Sequence, residues 1–194
     1  MYLLAWLLLL SAPSWTVGGI VQLIAANGIA HGCPIGPTTI LTARHVAAPA
    51  PSFRQNYFVW SANTTTGSAW TTDVDWRRDL GVLTSDAPLP YIYGIAADAP
   101  AIGEKVAFVG YDDRLQPRIF YTEILNIVAA HLVLDSPGAM GASGSCVLNT
   151  HNEAVGVFQW SISLTGKETH GVASGIWGPW QDVSWVPPEP KEAP

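Results

Sequence analysis

Residues 19–42 read GIVQLIAANGIAHGCPIGPTTILT and hold three short runs of mainly apolar, often β-branched residues. The runs are Gly19 to Ala25, Ile29 to Ile35 and Thr38 to Thr42. Asn27-Gly28 separates the first two runs and is a strong signal for a hairpin turn. Gly36-Pro37 ends the second run in the same way. The segment therefore predicts three consecutive strands of an antiparallel sheet.

Similar strand-like runs continue along the chain, separated by clusters of Gly, Pro, Asn and Asp. They are Tyr57–Trp60, Trp70–Val74, Leu80–Thr84, Val106–Gly110, Ile119–Val128, Leu132–Asp135, Cys146–Leu148, Ala154–Ile162 and Gly171–Ile176. No window keeps a long apolar period of 3.6 residues, which would indicate a helix. The pattern predicts an all-β barrel or sandwich.

Composition excludes several classes of protein. The chain has 194 residues, of which 48% are hydrophobic, and 9 basic against 15 acidic residues give a net charge of −6. Disordered chains combine low hydrophobicity with high net charge, and this chain does not. Its few scattered cations also lack the footprint of nucleic-acid binding. We expect a globular protein with one large domain or two small ones.

The two ends of the chain differ from its body. Met1 to Leu10 is almost wholly apolar but too short for a bilayer, which needs about 20 residues. Ala12 and Ser14 are small residues spaced as at a signal-peptidase site, so residues 1–14 predict a secretory signal peptide. An apolar anchor or a first strand is the alternative. We expect a secreted or periplasmic protein without a stable membrane span. Residues 186–194 are rich in proline and charge and predict a flexible tail.

Three segments carry side chains suited to nucleophilic catalysis. His45 follows directly after a predicted strand, Asp79 precedes another, and Ser143 lies among glycines in PGAMGASGSCVL, residues 137–148. Each segment alone is weak evidence. A nucleophilic serine needs a general base, and the base needs an acid that fixes its tautomer. The three segments together supply these groups in the order His, Asp, Ser.

The three segments resemble those of the trypsin-like, chymotrypsin-fold serine proteases. TILTARHV (39–46), RRDLGVL (77–83) and GASGS (141–145) are similar to the histidine, aspartate and serine segments of that family. The short intervals between them are typical of its compact bacterial and viral members. The resemblance implies two packed six-stranded antiparallel β-barrels within residues 15–185. The barrels would span about 18–86 and 103–180, joined by the proline-containing stretch Asp86 to Gly103.

The resemblance also implies the chemistry. His45 would act as general base, Asp79 would hold it, and Ser143 would attack a peptide carbonyl, while the backbone N–H groups of Gly141 and Ser143 would form the oxyanion hole. The expected function is a serine endopeptidase acting on protein or peptide substrates without a metal or organic cofactor. The alternatives are a catalytically silent binding module of the same fold and a secreted β-domain whose motifs coincide by chance.

The resemblance points to a primary specificity pocket as well. Pro137 occupies the position at which trypsin carries the aspartate that selects arginine and lysine, so that specificity is not expected. The sequence leaves seven candidates for the pocket lining: Pro137, Gly138, Gln159, Trp160, Ser161, His170 and Gly171.

Two cysteines complete the inventory. The resemblance implies that Cys33 and Cys146 lie on segments that meet near the junction of the barrels. A disulfide between them and two buried thiols are both compatible with the sequence. Neither cysteine occupies the nucleophile position, and neither belongs to a cluster that could ligate a metal.

Overall fold

The computed structural model describes residues 19–25, 28–47, 56–61, 64–111, 117–163 and 169–178. The predicted signal segment, residues 1–14, and the predicted tail, residues 186–194, lie outside the described residues. The elements are β1 (Val21–Ala25), β2 (Gly28–Pro34), β3 (Thr39–Ala43), α1 (Arg44–Ala47), β4 (Asn56–Ser61), β5 (Thr64–Asp75), β6 (Leu80–Ser85), β7 (Lys105–Tyr111), β8 (Pro117–Val128), β9 (His131–Leu134), β10 (Cys146–Leu148), β11 (Ala154–Ser163) and β12 (Thr169–Gly175). Among these residues no helix has the length and hydrophobicity required to cross a membrane.

The strands form two closed antiparallel barrels of six strands each. The first has the order β1-β2-β3-β6-β5-β4, and it closes where β4 pairs with β1. The second has the order β10-β11-β12-β9-β8-β7, and it closes where Leu148 pairs with Ala107. Residues 86–104 connect the barrels. The prediction of an all-β fold with two six-stranded antiparallel barrels is confirmed.

Each barrel encloses its own apolar core, because alternate residues of each strand point inward. Val21, Leu23, Ile40 and Leu83 fill the first barrel. The core of the second barrel contains Phe108, Phe158, Ile124, Leu132 and Leu134. Burial of such side chains contributes about 1.5–3 kcal/mol each, so two independent cores stabilise the two halves.

A third apolar cluster joins the barrels. Leu41 and Leu80 of the first barrel pack in this cluster with Val157 of the second. Cys33 of β2 and Cys146 of β10 are buried within it and form a disulfide, with their Cα atoms 4.8 Å apart. The covalent bond therefore crosses the junction of the two barrels, on which the candidate site also lies.

Candidate active site

The candidate histidine lies in α1, the single helical turn that directly follows β3. Antiparallel pairing of β3 with β6 brings this turn beside the β5–β6 turn, which ends at Asp79. Gly81 allows the close approach, because a Cβ added there would lie 2.4 Å from the Cβ of Ala47. A glycine in β6 thus lets α1 settle where His45 can reach the carboxylate.

A hydrogen bond joins the histidine to the aspartate. His45 Nδ1 lies 2.7 Å from Asp79 Oδ2. The Asp79 side chain is 9% exposed, whereas that of His45 is 40% exposed. An ionised carboxylate can only accept hydrogen bonds, so Nδ1 carries the proton and Nε2 keeps its lone pair. The pair therefore presents a basic nitrogen on the more exposed residue and keeps the acid buried.

The second carboxylate oxygen is also fully engaged. Asp79 Oδ1 accepts a hydrogen bond from the backbone N–H of His45 at 3.1 Å and from Arg44 Nε at 3.0 Å. The Arg44 guanidinium lies 4.4 Å from the centre of the Trp76 ring, which gives it a cation–π contact. Because three donors, one of them the Arg44 cation, converge on the carboxylate, its orientation is fixed and its buried charge is compensated.

The backbone of Asp79 adopts an uncommon conformation. Its φ angle of 52° lies in the left-handed region, which aspartate tolerates better than most residues. The Asp79 carbonyl accepts hydrogen bonds from the Arg44 N–H at 2.8 Å and from Gln159 Nε2 at 3.3 Å. Gln159 belongs to the second barrel, so both barrels hold the turn that carries the acid.

The candidate nucleophile lies in a turn that is packed tightly between the barrels. A Cβ on Gly144, whose φ is +87°, would lie 2.0 Å from the His31 carbonyl oxygen. A Cβ on Gly141, at φ +72°, would lie 2.5 Å from the Tyr111 ring. The His31 N–H donates to the Ser143 carbonyl at 2.9 Å, which attaches the turn to β2. Only glycine fits at either position, and this explains the Gly-flanked serine in the sequence.

The peptide groups of this turn are oriented by hydrogen bonds to their carbonyls. The Tyr111 N–H donates to the Met140 carbonyl at 3.0 Å, and the Ser145 N–H donates to the Ala142 carbonyl at 2.9 Å. In a trans peptide the N–H points away from the C=O, and the described chain contains no cis peptide bond. The N–H groups that follow, those of Gly141 and Ser143, therefore point away from these donors. Neither has an acceptor among the described residues.

His45 and Ser143 share one cavity of about 220 Å³. Gly141 and Val46 also line it, together with a wall from the β1–β2 hairpin: Leu23, Gly28, Ile29 and Ala30. The Ser143 hydroxyl donates to the Gln159 carbonyl at 2.8 Å. A serine side chain changes its staggered rotamer by rotation about a single bond. One such rotation would release the Ser143 hydroxyl from the Gln159 carbonyl and turn it toward other acceptors.

A second histidine, His31 of β2, supports the serine turn. The His31 ring is buried and stacks on Tyr111, with ring centres 4.9 Å apart. Its Nδ1 lies 2.6 Å from the Gly141 carbonyl oxygen and acts as the donor, since a carbonyl only accepts. Burial lowers the pKa of His31 to about 4, against the weaker opposing effect of this hydrogen bond. His31 is therefore neutral at pH 7.

The buried His31 should make the protein less stable in mild acid. The unfolded chain binds a proton at His31 below its pKa of about 6.5, whereas the folded chain does so only near 4, so stability falls as the pH drops between these values. At about 1.4 kcal/mol per pH unit, the free energy of unfolding falls by about 3 kcal/mol by pH 4. His31→Asn keeps a donor but cannot titrate. Denaturant unfolding at pH 7 and pH 4 should show about 3 kcal/mol less acid destabilisation in the variant than in the parent. Equal losses of stability in the two proteins would contradict this prediction.

The structure places the seven pocket candidates at different depths. Ser161 and Pro137 are exposed, and the Ser161 hydroxyl donates to the Pro137 carbonyl. Trp160 is also exposed, and His170 is buried. Gly138 and Gly171 both pack against the ring of Phe158.

The Gln159 side chain contacts the backbone of the β5–β6 turn that carries Asp79. Its side chain is fully buried, and its Nε2 donates to Ser174 Oγ at 2.7 Å and to the carbonyls of Arg78 and Asp79. Ser174 Oγ in turn donates to the Arg78 carbonyl. The Gln159 side chain is therefore a contact between the barrels.

Sequence patterns did not indicate three of the residues that support the site. Arg44 is adjacent to the candidate base, but its ion pair with Asp79 depends on the β3–β6 register. His31 and Ser174 lie in strands with mainly apolar patterns, and no neighbouring motif indicates a role for either residue. Their roles become visible only once the two barrels are assembled.

Two six-stranded barrels with a cavity at their junction, lined by a serine in a glycine-rich turn and by a histidine bonded to a buried aspartate, are the architecture of the chymotrypsin-fold serine proteases. The chain belongs to the family of the trypsin-like peptidase domain, whose profile matches residues 27–157. No curated protein sequence matches the chain.

Several solved proteases have similar structures. The active form of the Rv3671c protease from M. tuberculosis has a TM-score of 0.69 and 17% identity, covering 82% of this chain and 77% of that one. The serine endoprotease from Yersinia pestis has a TM-score of 0.68 and 24% identity, covering 82% of this chain and 59% of that one. A Glu endopeptidase has a TM-score of 0.66 and 17% identity, covering 82% and 86%. At these identities the similarity shows a shared fold.

Proposed function

We propose that this serine protease is an endopeptidase that cleaves protein or peptide substrates through a covalent acyl-enzyme. Ser143 is the nucleophile, His45 the general base and Asp79 the group that orients His45. The observation that carries the proposal is the 2.7 Å contact of His45 Nδ1 with Asp79 Oδ2, in a structure where His45 and Ser143 line the same cavity.

The reaction follows from the proton positions. His45 Nε2 takes the proton of Ser143 Oγ as that oxygen attacks the substrate carbonyl carbon, and the Asp79 carboxylate stabilises the imidazolium that forms. The imidazolium then gives its proton to the leaving amine as the C–N bond breaks. Water attacks the resulting ester by the same route, and the serine is regenerated.

The developing oxyanion needs donors that are already in place. The N–H groups of Gly141 and Ser143 meet this requirement, because their peptide groups are held by hydrogen bonds to the preceding carbonyls. Loss of one such donor typically lowers the rate about 100- to 1000-fold. The His31 contact with the Gly141 carbonyl adds a further restraint on this turn.

The serine hydroxyl must rotate before it can react. In the structure it donates to the Gln159 carbonyl. Catalytic hydrogen bonds in unliganded proteases are often long or misaligned and form fully only with substrate bound, so this rotamer is compatible with the proposed role.

The proposed place of action is outside the cell or in the periplasm. The Cys33–Cys146 disulfide favours an oxidising compartment. We expect no preference for arginine or lysine before the cut, because Pro137 carries no charge.

Labelling with a fluorophosphonate probe tests the proposal directly. Such probes react with a serine that a base and an oxyanion hole activate. We expect the parent protein to be labelled, Ser143→Ala not to be labelled, and the control Ser68→Ala, which removes a β5 hydroxyl outside the cavity, to be labelled like the parent. Absence of labelling in the folded parent would instead favour a silent binding module.

A further inference from the structure

Phe158 packs against two of the candidates for the primary specificity pocket, Gly138 and Gly171. It belongs to β11 and is 2% exposed. Its ring stacks on Phe108, with centres 4.5 Å apart and an angle of 19° between the planes. Phe108 stacks in turn on Phe120 at 5.3 Å. Phe158 is thus the end of a three-ring stack that runs through the second barrel.

Two glycines on opposite segments pack against this one ring. A Cβ added to Gly138 would lie 2.6 Å from Phe158 Cζ, and a Cβ added to Gly171 would lie 2.7 Å from Phe158 Cε2 and 2.5 Å from the Ser136 carbonyl oxygen. Glycine at these positions would normally leave room for a substrate side chain. Here the ring of Phe158 fills that room.

The outer part of the same region is held together as well. The Ser161 hydroxyl donates to the Pro137 carbonyl, which links the β11 segment to the segment that precedes the serine turn. Both residues are exposed, so the link lies at the rim. A substrate side chain entering between the two segments therefore meets a hydrogen bond at the rim and an aromatic ring behind it.

We infer that the Phe158 ring fills the inner end of the primary specificity pocket, so that the protein cleaves after small residues, namely glycine, alanine and serine. The inference rests on the proposed function and names its substrate class. A large side chain would have to displace a ring that is stacked in the core, whereas a small one does not reach it. Dense cores resist such displacement because they relax only partly.

Cut sites in a mixture of denatured proteins, identified by mass spectrometry, test the inference. For the parent protein we expect glycine, alanine and serine before the cut to be enriched at least about tenfold over leucine, phenylalanine and arginine, the discrimination typical of steric limits in a pocket. Phe158→Val should shift the enrichment toward leucine and phenylalanine. The matched variant Phe120→Val shortens the other end of the stack and should keep the parental preference.

The outcomes separate the two proposals. A parent protein that cuts equally well after large residues overturns the inference, as does an unchanged preference in a folded Phe158→Val protein. If that variant does not fold, the preference of the parent decides alone. A parent that lacks Ser143-dependent fluorophosphonate labelling, or is labelled but cuts no protein, contradicts the proposed endopeptidase function, and the inference falls with it.

Discussion

Replacing Asp79 with asparagine is expected to lower kcat/KM for peptide hydrolysis about 10⁴-fold, as in the chymotrypsin template, while the protein stays folded. Oδ1 accepts hydrogen bonds from Arg44 Nε and from the His45 N–H, so an asparagine must place its carbonyl oxygen there. Its NH₂ group then faces His45 Nδ1, which has to become an acceptor. The proton moves to Nε2, and the imidazole can no longer accept the serine proton.

A matched variant in the same turn provides the control. Asp75 accepts hydrogen bonds from the N–H groups of Arg77 and Arg78 and contacts neither His45 nor the cavity. Asp75→Asn makes the same chemical change four residues away and should keep the parental kcat/KM. Full activity of Asp79→Asn, measured with one peptide substrate beside Asp75→Asn, would remove Asp79 from the mechanism.

Removing the disulfide is expected to lower the free energy of unfolding by about 5 kcal/mol. Cys33 and Cys146 are separated by 113 residues, and a loop of this length gives a large entropic restraint on the unfolded chain. The double variant Cys33→Ala/Cys146→Ala loses this restraint and also two side chains from the apolar cluster between the barrels. Denaturant unfolding under oxidising conditions measures the difference.

Reduction of the parent protein gives an independent check. Unfolding of the parent in excess dithiothreitol should approach the stability of the double alanine variant, because both lack the covalent link. If the reduced parent and the variant both unfold at the parental denaturant concentration, the disulfide does not stabilise the fold.

The sequence predicted the strands well, because most of them carry an apolar or alternating pattern. The exception is β5, predicted as Trp70 to Val74 but observed as Thr64–Asp75. Its first residues, TTTGSA, are polar or small and have no pattern of their own. They are extended because they pair with β4, the strand directly before β5, and this main-chain pairing does not require an apolar pattern in the residues themselves.

The candidate site was predictable in residue type but not in its surroundings. The three motifs name His45, Asp79 and Ser143, since each has a local composition that its chemistry requires. The ion pair of Arg44 and the packing of Phe158 on two glycines depend on contacts between strands that are distant in sequence. The same limit applies to Gln159, a pocket candidate from the resemblance, because its contact with the Asp79 carbonyl depends on how the two barrels are packed.

The contact of Gly144 with the His31 carbonyl bears on how this chain can evolve. A side chain at position 144 would collide with the main chain of the other barrel, whatever the protein is selected to do. The hydroxyl of Ser143 is under no such constraint, since among the described residues its hydrogen-bond partner is the Gln159 carbonyl at 2.8 Å. A lineage can therefore replace the Ser143 side chain and keep the architecture, but it cannot replace the neighbouring glycine. Position 144 therefore stays glycine as long as the fold is kept, whereas position 143 can change with the chemistry that is selected.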